Sequence, residues 1–269
     1  VSKSTLEVYS QWLVDEQYAD ATVYLELTTL KQTIKWLTTE QHMKQSHAIK
    51  LQLRHPVGTT TYCYTDQQVA AMLVRCDAVA ELQWLGRIIR GLCYTGLRIS
   101  ELAQLRWSAV DINTGMLRVV DNSREAPRRG LITSRTKTGR SRSLPIHRDL
   151  MPVLKDIKRD DDGRVFRAFG GGVIRPDKVR TALIRDVLKP LEERFAGHAG
   201  ERGFVDGRLH SFRHYFCGKC ARDGVAEQTV MLWLGHRDSR MVQHYYQLHD
   251  EDAQRQMDKL RSVVDGGAA

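Results

Sequence analysis

Thr95-Gly96-Leu97-Arg98-Ile99-Ser100-Glu101-Leu102 is the stretch from which the rest of the chain is read. Before it, Leu82, Leu85, Ile88, Ile89 and Leu92 recur at helical spacing, so an apolar helix runs into it. Thr95-Gly96 breaks that run, and a second helix carries Leu97 to Leu105. Arg98 stands at its start with Glu101 one turn on, a spacing at which the acid holds the guanidinium in one orientation. On a solvated surface such a pair contributes little. Between apolar runs it asks for another explanation.

Working outward, the N-terminal part reads as helices. Leu6, Tyr9, Trp12 and Leu13 share one helical face, and Leu27, Leu30, Ile34 and Leu37 another. Between about 40 and 64 the pattern fails in a polar stretch with Pro56 and Gly58, which reads as an interdomain linker. Thr65-Asp66 is the N-cap of the next helix. Beyond Leu105, residues 116–120 read as a strand. Leu131-Ile132-Thr133 and Ser143-Leu144-Pro145-Ile146 flank the turn Lys137-Thr138-Gly139-Arg140 as a hairpin. Helices are expected again from 147, and at about 176–195, 210–222, 225–234, 239–248 and 251–264, with loops at 160–163 and 170–172. The class is mainly α with a small antiparallel β-sheet. Trp12, Trp36, Trp107 and Trp233 are expected to pack cores.

The 269 residues carry 41 Lys and Arg against 32 Asp and Glu, a net charge of +9. Residues 1–60 hold six of each sign, so the whole excess lies beyond them. Residues 121–150 alone hold eight basic groups against three acidic ones, the footprint of a polyanion partner. No apolar run approaches the roughly 20 residues needed to cross a bilayer, and no secretory h-region follows Val1. Five cysteines are an odd number for a disulfide framework and point to a reducing, cytoplasmic setting. Cys217-Gly218-Lys219-Cys220 lacks the second pair that zinc requires, so the cysteines read as packing residues.

Four further segments place polar groups in apolar surroundings. Lys137 sits on the basic hairpin tip. In His210-Ser211-Phe212-Arg213 the His and Arg share a helical face. In Leu234-Gly235-His236 the glycine permits a helix C-terminus, with the His just outside it. His244-Tyr245-Tyr246 lies on the following helix. Each has an ordinary reading alone: a solvated turn, a helix cap or core packing. Together they assemble the inventory for metal-free phosphoryl transfer: two guanidiniums to match the nonbridging oxygens, a phenol to attack in line, and an acid for the leaving oxygen.

These strings resemble the tyrosine recombinase (phage integrase) family: TGLRISEL at 95–102, Thr136-Lys137-Thr138-Gly139, Leu209-His210-Ser211-Phe212-Arg213-His214, Leu234-Gly235-His236, and a Tyr nine positions later at Tyr245. The resemblance covers about 62–250. It implies a helical core-binding domain over 1–55 and an α+β catalytic domain over 62–269. It implies that Tyr245 is the nucleophile of a 3′-phosphotyrosyl intermediate, that Arg98 and Arg213 clamp the scissile phosphate, and that Lys137 protonates the 5′-oxygen. His210 would assist proton transfer, His236 would bind the phosphate, and Glu101 would buttress Arg98. Arg135, Arg140 and Arg142 would track DNA. His214 and Tyr215 would only support their helix. No metal or other cofactor is expected. The partners implied are double-stranded DNA and, on synapsed DNA, a homotetramer of a chain that is monomeric alone. Two alternatives stay open: a type IB topoisomerase-like relaxing enzyme, and a catalytically silent DNA-binding module. The adjacent Tyr246 is a rival nucleophile, since one residue turns a helical side chain by about 100°.

Overall fold

The computed structural model describes residues 2–43, 53, 61–121, 141–197, 202–235, 242, 245 and 246. The expected strand at 131–133, the tip with Lys137, the residues Arg135, Arg140 and His236, and the helix at 251–264 lie outside the described residues. So does most of 239–248.

The chain divides into two compact units, Val1–Thr60 and Thr61–Ala269. In the first, α1 (Lys3–Asp15) starts on a Ser2 capping box and packs on α2 (Asp20–Thr39) through Leu13, Val23 and Leu27. Trp12 and Trp36, expected in a core, are 48% and 55% exposed. A two-helix layer offers one shared face, and Leu6 and Leu13 fill it. Trp12 stacks on Tyr9 with ring centroids 5.9 Å apart, and Trp36 leans on His42.

The second unit begins as the sequence reads. Thr65 caps α3 (Asp66–Ala78): its Oγ1 accepts from Gln68 N, while Gln68 Oε1 accepts from Thr65 N. α4 (Gln83–Thr95) follows, with Leu85, Ile88, Ile89 and Leu92 fully buried. Gly96 ends it in the left-handed region (φ +61°), and α5 (Ile99–Gln104) starts at once. The sheet has three antiparallel strands in the order β1 (Val110–Asp111), β2 (Met116–Val119), β3 (Arg142–Pro145). Leu117 pairs with Val110 and Leu144, and these inward residues join the main core. The two-residue β1 is too short to show a period-2 pattern, so the sequence does not announce it.

After α6 (Met151–Asp156), α7 (Pro176–Ala182) does not continue as one helix to 195. It widens into a π-type turn over Leu183–Leu188 and ends in short 3₁₀ turns. Pro190 has no N–H for the Asp186 carbonyl four residues back, and Arg75 Nε donates to that carbonyl instead, at 2.5 Å. α8 (Ser211–Arg222) and α9 (Glu227–Leu234) complete the described elements, with Gly235 left-handed (φ +69°) after α9. Among the described residues no helix is long and apolar enough to cross a membrane. Cys76, Cys93, Cys217 and Cys220 are buried and Cys63 half-buried, all as free thiols.

Candidate active site

Arg98, Glu101 and Arg213 are brought together by the α4–α5 corner, α8 and the end of α9. Thr95 Oγ1 donates to Gly91 O at 2.5 Å and accepts from Leu97 N at 3.2 Å, so the corner is closed by its own side chain. Gly96 is fixed there twice over. Its φ is positive, and a Cβ would stand 2.5 Å from Phe216 Cδ1 and 2.7 Å from Leu234 Cδ2. The corner therefore presses against α8 and α9.

That close approach delivers the Gly96 carbonyl to Arg213. Arg213 Nη1 donates to Gly96 O at 2.6 Å and Nη2 to Leu234 O at 2.9 Å. The side chain is 1% exposed, and Nε finds no acceptor among the described residues. A guanidinium carries five N–H groups, so donors remain beyond the two spent on carbonyls. Burial, then the charge of Arg98, draw the Arg213 pKa down to about 10, so it stays charged at neutral pH.

Glu101, 3% exposed at its side chain, is shared between two arginines. Oε2 accepts from Arg98 N at 2.9 Å and from Arg142 Nη2 at 2.8 Å; Oε1 accepts from Arg98 Nη1 at 3.3 Å and Arg142 Nη1 at 3.2 Å. Burial works to raise its pKa, but the hydrogen bonds and charges of Arg142, then Arg98, prevail and hold it below the ordinary carboxylate range. Glu101, expected to buttress Arg98, thus contacts Arg98 and Arg142 alike.

Arg142 corrects an expectation. The basic hairpin suggests a DNA contact at this position, yet the side chain is 7% exposed and turned inward. Nε donates to Trp233 O at 2.7 Å, and both Nη atoms go to Glu101. Arginines on a hairpin look alike in one dimension. The antiparallel pairing Val119↔Arg142 sets this one at the head of β3, beside the end of α9.

Tyr245 is described together with its neighbour Tyr246. Its ring lies over Gly218 of α8, where an added Cβ would be 3.3 Å from Cδ1. Its hydroxyl is 3.1 Å from His214 Nδ1 and also bonds the Cys63 thiol. Burial, then that thiol, raise the phenol pKa well above its usual value, so it rests neutral. Tyr246 donates its hydroxyl to the Val225 carbonyl at 2.5 Å. His210, exposed at the N-terminus of α8, meets His214 ring-to-ring at 5.1 Å, and His214 in turn meets the Tyr245 ring at 6.0 Å. His214 is the residue that sequence reasoning misses. Its one-dimensional signal is its position four residues after His210, on the same helical face.

The description "Phage integrase family" belongs to a family model that matches residues 63–252, well over half of the chain. The chain belongs to the phage integrase family. Among members with curated names, the tyrosine recombinase XerC of Xanthomonas axonopodis pv. citri is 28% identical over 68% of this chain and 53% of its own length. XerC of Lactobacillus delbrueckii subsp. bulgaricus is 25% identical over 91% of this chain and 78% of its own length. The chain therefore spans about half the length of the first of these relatives. The family fold is borne out by solved structures. The Tn1549 transposon integrase in complex with a circular intermediate DNA has a TM-score of 0.74 at 18% identity, covering 97% of this chain and 86% of that one. A lambda integrase tetramer bound to a Holliday junction has a TM-score of 0.67 at 15% identity, covering 91% and 64%.

Proposed function

We propose that this phage integrase family member is a site-specific recombinase that cuts and rejoins double-stranded DNA through a 3′-phosphotyrosyl intermediate. The observation that carries this reading is the convergence of buried guanidiniums on one corner of the fold. Three guanidiniums, Arg98, Arg142 and Arg213, are gathered around one carboxylate, Glu101, in a largely buried cluster. Buried charge is retained where it is compensated, and a phosphodiester is the anion whose geometry guanidinium forks match.

In this reading the Tyr245 oxygen attacks phosphorus in line. The Tyr O–P bond forms as the P–O5′ bond breaks. The phenol proton passes to a histidine, Lys137 protonates the leaving 5′-oxygen, and the charge growing on the nonbridging oxygens is met by Arg98, Arg213 and His236. Attack of a new 5′-hydroxyl on the phosphotyrosine reverses these transfers and releases Tyr245. The bond energy is conserved in the intermediate, so neither a metal nor a nucleotide takes part. Residues 1–55 serve as the core-binding domain and 62–269 as the catalytic domain. Strand exchange between two duplexes calls for a tetramer.

The test uses a library of duplexes with a randomised centre, each nicked so that the short fragment released with a free 5′-hydroxyl diffuses away, incubated in EDTA without ATP. A covalent protein–DNA band is expected from the wild type and not from Tyr245→Phe. DNA binding with no covalent band across the library would overturn the reading in favour of a silent binding module. Relaxed plasmid without any recombinant joint would overturn it in favour of a topoisomerase.

A further inference from the structure

We infer that Arg142 is a positioning residue of this site, which sets Arg98 and the end of α9 through one guanidinium and takes no DNA phosphate itself. This rests on the proposed reaction. The guanidinium has three anchors. Nη1 and Nη2 make a two-pronged contact with Glu101, the same carboxylate that holds both the backbone N–H and the Nη1 of Arg98. Nε reaches the Trp233 carbonyl at the C-terminal end of α9. The next carbonyl, that of Leu234, is the one Arg213 holds. Two arginines from different elements thus grip successive orphan carbonyls of one helix end, and one of them also fixes the acid that orients a third arginine.

Packing agrees with this role. Gly235 follows in the left-handed conformation, and a Cβ there would lie 3.0 Å from Arg142 Cδ and 3.3 Å from Nε. The aliphatic stem of Arg142 therefore lies against the turn that leads into 236. The geometry also says why arginine stands here. Spanning both Glu101 oxygens and a carbonyl on another helix needs a planar fork with three N–H directions, and an ammonium on a flexible stem holds one direction at a time.

The experiment compares wild type, Arg142→Lys, Arg142→Gln and Glu101→Gln, and combines the two Gln changes. Two quantities are read on the nicked library: covalent band formation at saturating DNA, and DNA affinity over a salt series. Arg142→Gln is expected to slow covalent band formation by about 100-fold, the scale of a misplaced reacting group, with the slope of log affinity against log salt unchanged. Arg142→Lys keeps the charge and is expected to recover only a small part of the rate. The double variant is expected to fall no further than the slower single one, since both act through one carboxylate. A wild-type salt slope in each variant also shows that it has folded. A slope shallower by about 0.9 would make Arg142 a phosphate contact and overturn the inference. So would an undiminished rate, full recovery with Lys, or additive losses. If instead the wild type binds DNA and forms no covalent band, the reaction fails, while the salt slope still decides whether Arg142 touches phosphate.

Discussion

The hydroxyl of Tyr245 and Nδ1 of His214 lie 3.1 Å apart, which links the expected nucleophile to a histidine whose sequence context suggests only helix support. The phenol is neutral at rest, so a base must accept its proton on attack. Among the described residues His214 is the ring within reach, and His210 meets it edge-on at 5.1 Å. His214→Ala is therefore expected to slow covalent band formation by about 10²-fold or more, and to cost more than His210→Ala. Rapid-quench sampling of the nicked library measures both. If His214→Ala runs at the wild-type rate, the contact has no part in the chemistry.

The two adjacent tyrosines are separated by what their hydroxyls hold. Tyr246 is spent on a backbone carbonyl, and losing that hydrogen bond should cost about 1 kcal/mol of stability without stopping the reaction. Tyr245→Phe should abolish the covalent band and leave DNA binding intact. Retained bands in Tyr245→Phe with none in Tyr246→Phe would reverse the assignment.

Gly96 bears on the site through its backbone. Gly96→Ala forces a Cβ into Phe216 and Leu234 at a positive φ, and so displaces the carbonyl that Arg213 holds. The combined conformational and overpacking cost is about 3 kcal/mol. Urea unfolding is expected to show that loss, and covalent band formation should fall with it even where the variant is still folded. An alanine variant as stable and as active as the wild type would contradict the close approach.

Glu101 ties stability to pH in one direction. Its folded pKa is depressed below the ordinary value of 4.5, so its contribution is fully present above about pH 4.5 and is lost as the pH falls through the depressed value. Near pH 7, Glu101→Gln should cost about 3 kcal/mol, because Arg142 and Arg98 lose their shared counter-charge. Urea titrations of wild type and variant are expected to converge as the pH is lowered below 4.5. A gap that stays constant down to pH 3 would show that the carboxylate charge contributes nothing.

Much of the site is legible in one dimension because its parts are local. The Thr65 cap, the Gly96 break, the Arg98–Glu101 pair and the Gly235 terminus each depend on residues within a turn of one another. Short-range sterics and hydrogen bonding specify them wherever the segment lies. The π-type turn after α7 is not legible in this way. The Pro190 signal is local, but the donor that compensates for it, Arg75, comes from 111 residues away.

By itself, then, the sequence determined the helical class, the small sheet, the breaks between elements and the set of chemically unusual side chains. Periodicity and turn chemistry act over a few residues and need no partner. Only the tertiary structure decided what those side chains face. Arg142 and Arg118 are both arginines of one strand pair, yet Arg142 is drawn in by Glu101 and the Trp233 carbonyl while Arg118 points to solvent. His214 meets a phenol only because Tyr245, 31 residues on, came to rest against α8. A side chain's chemistry is written in its residue type, but its partner and its burial depend on which distant segments pack beside it.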